Sequence, residues 1–202
     1  MNKLNIIETK RLIIREFIES DIQKVHEYAS DPDVSKYVPW GPNTLKQTEE
    51  FVKMCIEYQI EKDRVDFELA VIEKSDGELI GACGLHISNK ENKEGWIGYG
   101  INRLYWSKGY GTEIAETLLN IGFNQFKLHR IYATCHPRNL GSERILQKIG
   151  MKKEGHLRKH KWFKGSWRDS LLYAILEDEY NQWFMGFRIL HNSEIAYKIV
   201  FW

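Results

Sequence analysis

The sequence predicts an α/β fold of the α+β kind, in which one mixed sheet is covered by helices. Three observations lead to this prediction. The 202 residues suffice for one large domain, or for one domain with an appendage. Segments of strand and helix composition follow one another in the order β-α-α-β-β-β-α-β-α-β-β. In the middle of this order strands alternate with helices, which favours a single mixed sheet with helices packed on it.

The first third of the chain contains one predicted strand and two predicted helices. Apolar residues recur at helical spacing in both helical segments. Ser20 or Asp21 is suited to cap the first of them, and a Pro/Gly loop at 38–43 separates the two. The predicted elements are a strand at 11–17, a helix at 19–30 and a helix from 44 to about 62.

Three short strand-like segments come next, joined by turns rich in glycine, asparagine and aspartate. This arrangement is typical of an antiparallel meander. The predicted strands are 66–73, 79–87 and 95–102.

The second half begins with a helix from about Tyr110 to Phe126, which has a continuous apolar stripe. A second helix would end at Gly150, a natural C-cap. A final hairpin has the residues "KGS" in its turn. The predicted elements are helices at 110–126 and 139–150 and strands at 130–136, 151–163 and 170–176.

The domain boundary is predicted near residue 184, so that 1–184 form the domain and 185–202 an extension. The extension follows a helical segment and is apolar enough to pack on a surface. It is predicted to be a docked arm or a homodimer contact. The alternative is a plain continuation of the last helix.

Composition excludes several classes of protein. A net charge of +1 argues against a dedicated nucleic-acid binder. No apolar run approaches the length of a membrane span, and the N-terminus lacks the pattern of a secretory signal. Three cysteines at no metal-like spacing indicate free thiols in a reducing compartment. The predicted location is therefore the cytoplasm.

The stretch "WSKGYGTE" (106–113) carries the strongest functional signal, because two glycines stand where a strand gives way to a helix. Gly109 and Gly111 permit positive φ and close backbone approach. The first turn of the helix offers unpaired N–H groups and the positive end of its dipole, which together bind phosphate. Lys108 adds a charge and Thr112 a hydroxyl. The alternative is an ordinary tight turn.

Spacing excludes two common phosphate motifs at this turn. No lysine followed by serine or threonine comes after the second glycine, so the stretch is not a P-loop. A dinucleotide fingerprint would need glycine or alanine at position 114, which is Ile114.

The stretch "YWSKGYGTEIAETLLNIGF" resembles the first half of the signature of the GNAT superfamily of N-acetyltransferases. The stretch "HPRNLGSERILQKIGMKKEGHLR" resembles the second half, at the right distance along the chain. The segment 8–40 is similar to the branch of ribosomal-protein acetyltransferases of RimJ and RimL type. The resemblance covers about residues 7 to 180.

The resemblance implies a mostly antiparallel, seven-stranded sheet that splays between its fourth and fifth strands, with acetyl-CoA as the co-substrate and no metal. Backbone groups of Ile101 and Arg103 would bind the pantetheine amides. Asn139 would bind pantetheine or the acceptor amide, and Ser142 would lie near the thioester sulfur as the candidate acid. The pyrophosphate would be held by Lys108, Gly109, Tyr110, Gly111 and Thr112.

The sequence departs from the family pattern at four positions. Trp106 replaces the usual Gln or Arg of the pyrophosphate turn, and Leu146 stands where many members have a catalytic tyrosine. Lys161 and Trp96 replace glutamates. The general base is therefore open between Glu94, Glu154 and a chain of water molecules, and either glutamate is also explained as a solvated charge.

The remaining candidate residues also have structural explanations. Trp40, Trp96 and Tyr99 are predicted to line the acceptor pocket, with core packing as the alternative. The basic segment 157–168 is predicted to be a rim that receives an acidic peptide or the CoA phosphates. Lys148 is interpreted as an exposed helix lysine. Metal binding by His156 and His160 and thiol chemistry at Cys83 or Cys135 are disfavoured.

The function that the resemblance implies is acetyl transfer from acetyl-CoA to a primary amine, by direct attack in a ternary complex. The first acceptor to consider is the N-terminus of a ribosomal-type protein. The alternatives are a small molecule such as a polyamine, an amino sugar or an antibiotic, and a non-catalytic module that binds acyl-CoA.

Overall fold

The computed structural model describes residue 4, residues 6–182 and residues 198–199. Within these residues the chain forms nine strands and four helices of eight residues or more. The strands are β1 (Ile7–Glu8), β2 (Leu12–Glu16), β3 (Asp66–Glu73), β4 (Leu79–Asn89), β5 (Glu94–Ile101), β6 (Arg130–Cys135), β7 (Lys152–Phe163), β8 (Ser166–Leu176) and β9 (Lys198–Ile199). The helices are α1 (Ile22–Ala29), α2 (Leu45–Tyr58), α3 (Tyr110–Asn120) and α4 (Leu140–Lys148).

The predicted order of elements is confirmed, and the seven predicted strands correspond to β2 through β8. The two further strands, β1 and β9, have two residues each and pair with one another at the sheet edge. Strands this short leave no periodic pattern in a sequence. Apart from β9, the extension at 185–202 lies outside the described residues, so its predicted role as an arm or dimer contact stays a prediction.

Helix boundaries differ from the prediction at several places, and the predicted helix at 110–126 is α-helical to Asn120 and continues as a π-helical turn over Ile121–Gln125. The second helix ends at Tyr58, four residues before the predicted end at Lys62. The chain turns there and brings Arg64 into the interior, where its guanidinium lies 2.6 Å from the Glu16 carboxylate. The ion pair joins residues far apart in sequence, so local periodicity does not reveal it.

The nine strands form one sheet in the order β7-β8-β6-β5-β4-β3-β2-β1-β9. All neighbours are antiparallel except β5 and β6. These two pair only over Glu94–Trp96 and Arg130–Tyr132. Beyond that point residues 97–101 of β5 and 133–135 of β6 do not pair with each other, so the sheet opens. This confirms the predicted splay between the fourth and fifth predicted strands.

Helices cover both faces of the sheet. The strands alternate, so that Leu69 and Val71 of β3 join one hydrophobic cluster and Ala70 and Ile72 the other. The first cluster contains the apolar stripes of α3 and α4, and the second contains those of α1 and α2. We call these faces the α3/α4 face and the α1/α2 face. The opening between β5 and β6 connects them.

Within the described residues, no helix is long and apolar enough to cross a membrane. Cys55, Cys83 and Cys135 are buried and unpaired, as predicted.

Candidate active site

The turn between β5 and α3 has the shape of an anion-binding cradle. Ser107 and Gly109 have positive φ angles of 59° and 82° on either side of Lys108. Alternation between right-handed and left-handed conformations turns successive N–H groups toward one concave side. Helix α3 starts after Gly109 without a side-chain cap. The N–H groups of its first turn, at 110–112, are therefore not bonded by a capping side chain and lie at the positive end of the helix dipole.

The predicted cradle residues contribute in different ways. Gly109 supplies the left-handed N-cap, where an added Cβ would meet only Arg11, at 3.4 Å. Gly111 is buried, and an added Cβ there would lie 2.7 Å from Cδ1 of Ile145. This second glycine lets α3 approach α4 closely. Lys108 is exposed, Thr112 is half-buried, and the Tyr110 ring is buried under the turn.

Arg11, which the sequence pattern does not single out, holds the backbone of the cradle in place. Arg11, at the start of β2, donates from Nη1 to the Lys108 carbonyl (2.7 Å) and from Nε to the Glu113 carboxylate (2.7 Å). Its guanidinium also lies 4.3 Å from the centre of the Tyr110 ring. Arg11 thus fixes the peptide at the centre of the cradle and places beside it a guanidinium whose charge is partly offset by Glu113.

Trp106 joins the cradle to the end of β5. Its indole Nε1 donates to the carbonyl of Ile101 over 2.8 Å. This bond explains what a tryptophan does where the family has Gln or Arg. Arg103 lies in the next turn, and its side chain pairs with Asp31 (3.0 Å) and Asp33 (3.7 Å). The predicted backbone contacts of Ile101 and Arg103 with pantetheine stay predictions.

The N-terminus of α4 faces β5 across the opening. Asn139 caps this helix, since its Oδ1 accepts from the N–H of Ser142 at 3.2 Å. The Ser142 hydroxyl lies 3.3 Å from the hydroxyl of Tyr99. Tyr99 stands on the part of β5 that pairs with β4 and does not pair with β6. Burial raises the pKa of the Tyr99 phenol, despite the bond with Ser142, so it stays protonated at neutral pH. Leu146, at the family's tyrosine position, is buried in the core.

The three predicted acceptor residues do not share one surface. Tyr99 packs with the cluster on the α3/α4 face, whereas Trp40 packs with the cluster on the α1/α2 face. Trp96 also belongs to the α1/α2 face, where its ring stacks on His86 at 3.7 Å between centroids. The prediction that Tyr99 lines a pocket together with the two tryptophans is therefore corrected. Tyr99 is a partner of Ser142.

A shallow glycine trough crosses the α1/α2 face beside the opening. Its floor consists of Gly98 and Gly100 of β5, and next to Gly98 lies Gly84 of β4, which the side chains of Glu68 and His86 cover. At Gly98 an added Cβ would meet only the Trp96 ring, at 3.5 Å, which is an ordinary van der Waals contact, and this glycine is half-buried. At Gly100 the Trp40 ring lies 3.3 Å from such an atom. The side chains that border the trough are Trp40, Glu68, His86 and Trp96.

The segment between α1 and α2 bridges the two sides of the opening. Arg103 at the end of β5 binds Asp31, as described above. Tyr37 stacks on His136, which follows β6, with 5.0 Å between centroids. Lys164 in the β7–β8 turn donates to the carbonyl of Ser35. The opening is therefore bordered by this segment and by the hairpin.

The two predicted base candidates lie together at the closed end of the β5–β6 pair. Glu94 accepts from Arg130 Nε at 3.0 Å, and Glu154 lies 2.6 Å from Arg130 Nη2. Both carboxylates thus share one guanidinium as their ion-pair partner and are partly exposed to solvent. This placement favours the interpretation of Glu94 and Glu154 as structural charges.

The remaining candidates have structural explanations. Burial raises the pKa of the Cys135 thiol to about 11, which keeps it un-ionised. His156 lies 2.8 Å from Asp169 and His160 lies 3.0 Å from Ser170. In the described part of the chain, no three His, Cys, Asp or Glu side chains are grouped as a metal site would need. Lys148 is exposed on α4.

Comparison with known proteins agrees with this geometry. Residues 11–152 match the sequence model of the acetyltransferase (GNAT) domain family. The chain is 41% identical to YnaD, an uncharacterized N-acetyltransferase of Bacillus subtilis (strain 168), over 87% of this chain and 99% of the relative.

Two solved structures have the same fold. A GNAT-family acetyltransferase from Bacillus anthracis is 39% identical with a TM-score of 0.76, covering 86% of this chain and 99% of that one. Spermidine N-acetyltransferase from Vibrio cholerae, in complex with CoA and spermine, is 21% identical with a TM-score of 0.72, covering 84% of this chain and 98% of that one.

Proposed function

We propose that this chain, which belongs to the GNAT family of acetyltransferases, moves the acetyl group of acetyl-CoA to the nitrogen of a primary amine. The first acceptor that we propose is a protein N-terminus. The observation that carries the proposal is the turn at 107–109, which has two left-handed residues and leads into a helix without a side-chain cap. Beside this turn the sheet opens, and Ser142 and Tyr99 lie at the opening.

The donor site fits the chemical groups of acetyl-CoA. The cradle at 108–112 presents N–H groups to an anion, and Arg11 supplies a neighbouring positive charge. The unpaired edges of β5 and β6 leave a slot for the pantetheine arm, whose amides can bond to strand backbone. In this arrangement the thioester reaches Ser142 and Tyr99, on the far side of the slot from the cradle.

The reaction needs a nucleophilic amine and a protonated leaving group. The amine nitrogen attacks the thioester carbonyl, the C–S bond breaks, and the sulfur must receive a proton. Ser142 is proposed to donate that proton, and Tyr99 to donate a hydrogen bond to the serine oxygen. The serine hydrogen is then free to point toward the sulfur. General acid assistance of this kind contributes about 10²–10⁴-fold.

The acceptor is assigned on narrower grounds. The protein N-terminus rests on the resemblance of residues 8–40 to the RimJ and RimL branch. A polyamine or another small amine is the alternative acceptor, because the spermidine N-acetyltransferase from Vibrio cholerae has the same fold. At 21% identity, that structure supports the fold of this chain and not its acceptor. The cytoplasmic location and the homodimer contact remain predictions.

A thiol-release assay tests the proposed function. The protein is incubated with acetyl-CoA and one amine at a time: a seryl- or alanyl-initiated peptide, spermidine and an amino sugar. We expect free CoA thiol to appear with at least one of them, together with the acetylated amine in the mass spectrum. Tight acetyl-CoA binding without turnover on any amine would support the non-catalytic module. No acetyl-CoA binding at all would overturn the proposal.

Arg11→Met is expected to weaken acetyl-CoA binding about tenfold, because it removes a charged hydrogen-bond donor from the cradle. A hydrogen bond to a charged group is worth about 1.5–3 kcal/mol, and solvent reduces this at a side chain that is 37% exposed. Calorimetric titration measures the change. Lys10→Met removes the same charge from the exposed neighbouring residue, and it is expected to leave the affinity within about twofold. Equal losses in the two variants would show that only net charge matters.

A further inference from the structure

Glu68 is a carboxylate without a full complement of partners on the α1/α2 face. It stands on β3, and its side chain is only 20% exposed. Within the described residues, the only group at ion-pair distance from it is His86, whose Nε2 lies 3.1 Å from Oε1. The two atoms are not aligned for a hydrogen bond, and the buried Nε2 has no other partner. Most carboxylates this buried are fully paired.

His86 is held firmly behind this carboxylate. Its Nδ1 lies 2.6 Å from Oδ1 of Asp66, and the Trp96 ring is stacked on the imidazole with an angle of 11° between the planes. Burial alone would lower the pKa of His86, but the carboxylates of Glu68 and Asp66 outweigh it and raise the pKa. The imidazole therefore stays protonated to a higher pH than a free histidine.

The group as a whole carries negative charge. Glu68 and Asp66 contribute two carboxylates, and the protonated His86 offsets one of them. The charged groups near Glu68 pair with one another, Arg15 with Asp21 and Arg64 with Glu16. The other titratable groups that face Glu68 from the neighbouring elements are neutral, because burial raises the pKa of each. They are Tyr28 of α1, Cys55 and Tyr58 of α2, and Cys83 of β4. A cation is consequently attracted to this side of the sheet.

The carboxylate lies beside the opening in the sheet. In the register of the sheet, Glu68 is opposite Gly84, and Gly84 is opposite Gly98. An added Cβ at Gly84 would lie 3.0 Å from the Glu68 carboxyl carbon, so the carboxylate sits directly over this glycine. Neighbouring strands are about 4.8 Å apart. Gly98 and the Trp96 ring beside it are thus one strand away from the carboxylate.

The two faces of the sheet provide opposite sides of one reaction centre. Ser142 and Tyr99 lie on the α3/α4 face, where the leaving sulfur needs a proton. Gly98 precedes Tyr99 on the same unpaired part of β5 and faces the other way. An amine above Gly98 therefore approaches the thioester carbonyl from the face opposite to the proton donor.

We propose that Glu68 is the acceptor subsite of the proposed acetyltransferase: its carboxylate binds the ammonium group of an aliphatic primary amine and takes the proton that this group must lose. His86 is a positioning residue that holds the carboxylate and adjusts its charge. Trp40 and Trp96 border the trough and offer aromatic surfaces to the cation and its alkyl chain. This inference rests on the proposed function and names the substrate class of that site.

The proton balance of the step is complete. One proton leaves the ammonium nitrogen for a Glu68 oxygen and passes on to solvent. The freed lone pair forms the N–C bond with the thioester carbon. The nitrogen loses its second proton to solvent as the C–S bond breaks, the sulfur takes the hydroxyl proton of Ser142, and solvent returns a proton to the serine. One proton is released in each turnover.

Glu68→Gln tests the proposal, because it keeps the shape of the side chain and removes its charge and basicity. We expect kcat/KM for the amine to fall about 10²–10³-fold at pH 7, within the range of general-base effects. The loss should shrink as the pH approaches the pKa of the amine, since a neutral amine needs no base. That pH is about 8 for a protein N-terminus and about 10 for a lysine-like or polyamine nitrogen. The pH dependence of the loss therefore also reports the class of acceptor.

Two further variants separate a catalytic from a structural effect. Glu94→Gln removes a strand carboxylate of similar exposure at the closed end of the β5–β6 pair, and we expect a change within about threefold. A protonated His86 competes with the ammonium group for the Glu68 carboxylate, so the wild-type kcat/KM should rise as His86 loses its proton. In His86→Gln we expect this rise to be absent, while the rate at high pH is retained. All three variants are expected to bind acetyl-CoA as the wild type does.

Proton NMR of the His86 ring gives a readout without turnover. Spermidine, or a seryl-initiated peptide, should shift the His86 resonances of the wild type and not those of Glu68→Gln. The inference is overturned if Glu68→Gln keeps its rate, if its loss is the same at every pH, or if neither amine moves the His86 signals. Failure of the proposed function has a different signature, namely loss of acetyl-CoA binding in the wild type.

Discussion

Gly109→Asp is expected to weaken acetyl-CoA binding about 100-fold or more and to leave the fold intact. The substitution places a carboxylate in the cradle that we assign to the pyrophosphate. Like charges about 4 Å apart repel by about 4 kcal/mol at the effective dielectric of a protein surface, and salt reduces this value. An aspartate here also lies within reach of Arg11, since Nη2 is 3.4 Å from the Cβ position, so it would occupy the supporting charge.

Gly109→Asn is the matched control. Asparagine has the same shape as aspartate, and both tolerate the left-handed conformation that this position has, with φ of 82°. We expect the asparagine variant to bind acetyl-CoA within about tenfold of the wild type, a loss that reflects backbone cost alone. Calorimetric titration of both variants, with circular dichroism as the check on folding, isolates the charge. Equal affinity of the two variants would show that no anion binds at this turn.

Ser142→Ala is expected to lower kcat about 10²–10³-fold while the affinity for acetyl-CoA stays within about threefold. The reason is that the hydroxyl is proposed to protonate the leaving sulfur. The helix cap is not disturbed, because Asn139 accepts from the backbone N–H of residue 142, which alanine retains. Pre-steady-state thiol release measures the chemical step directly.

Tyr99→Phe examines whether the phenol acts through Ser142. Removal of the phenol alone is expected to lower kcat about tenfold, and the double variant should be no slower than Ser142→Ala. If the two substitutions lower kcat by factors that multiply in the double variant, then Tyr99 contacts the substrate itself. Full activity of Ser142→Ala would contradict the assignment of the proton donor.

Features with a local sequence signal were predicted correctly. The helix stripe after Tyr110, the left-handed glycine at 150 that follows α4 and the hairpin turn at Lys164 and Gly165 depend on periodicity or on a single residue type. The prediction of the cradle and of the α4 N-terminus as parts of the site rests on a signature of which each half lies within one turn and the following helix. The two-residue strands β1 and β9 carry no such signal.

Contacts between distant residues could not be predicted in this way. Arg11 reaches Lys108 from a strand 97 residues earlier, and Glu68 meets His86 only because β3 and β4 pair in one register. One error was avoidable, however. Successive strand residues point to opposite faces, so Trp96 and Tyr99, three positions apart, cannot face the same side of a regular strand. Alternation alone would have placed Tyr99 with Ser142.

A crystal structure with CoA and an amine bound tests the central claim most directly, namely that donor and acceptor meet through the opening between β5 and β6. We predict the pyrophosphate on the N–H groups of 108–112, the sulfur beside Ser142, and the amine nitrogen above Gly98 within hydrogen-bond distance of Glu68. A pyrophosphate bound elsewhere, or an amine that reaches the sulfur from the α3/α4 face, would contradict the account.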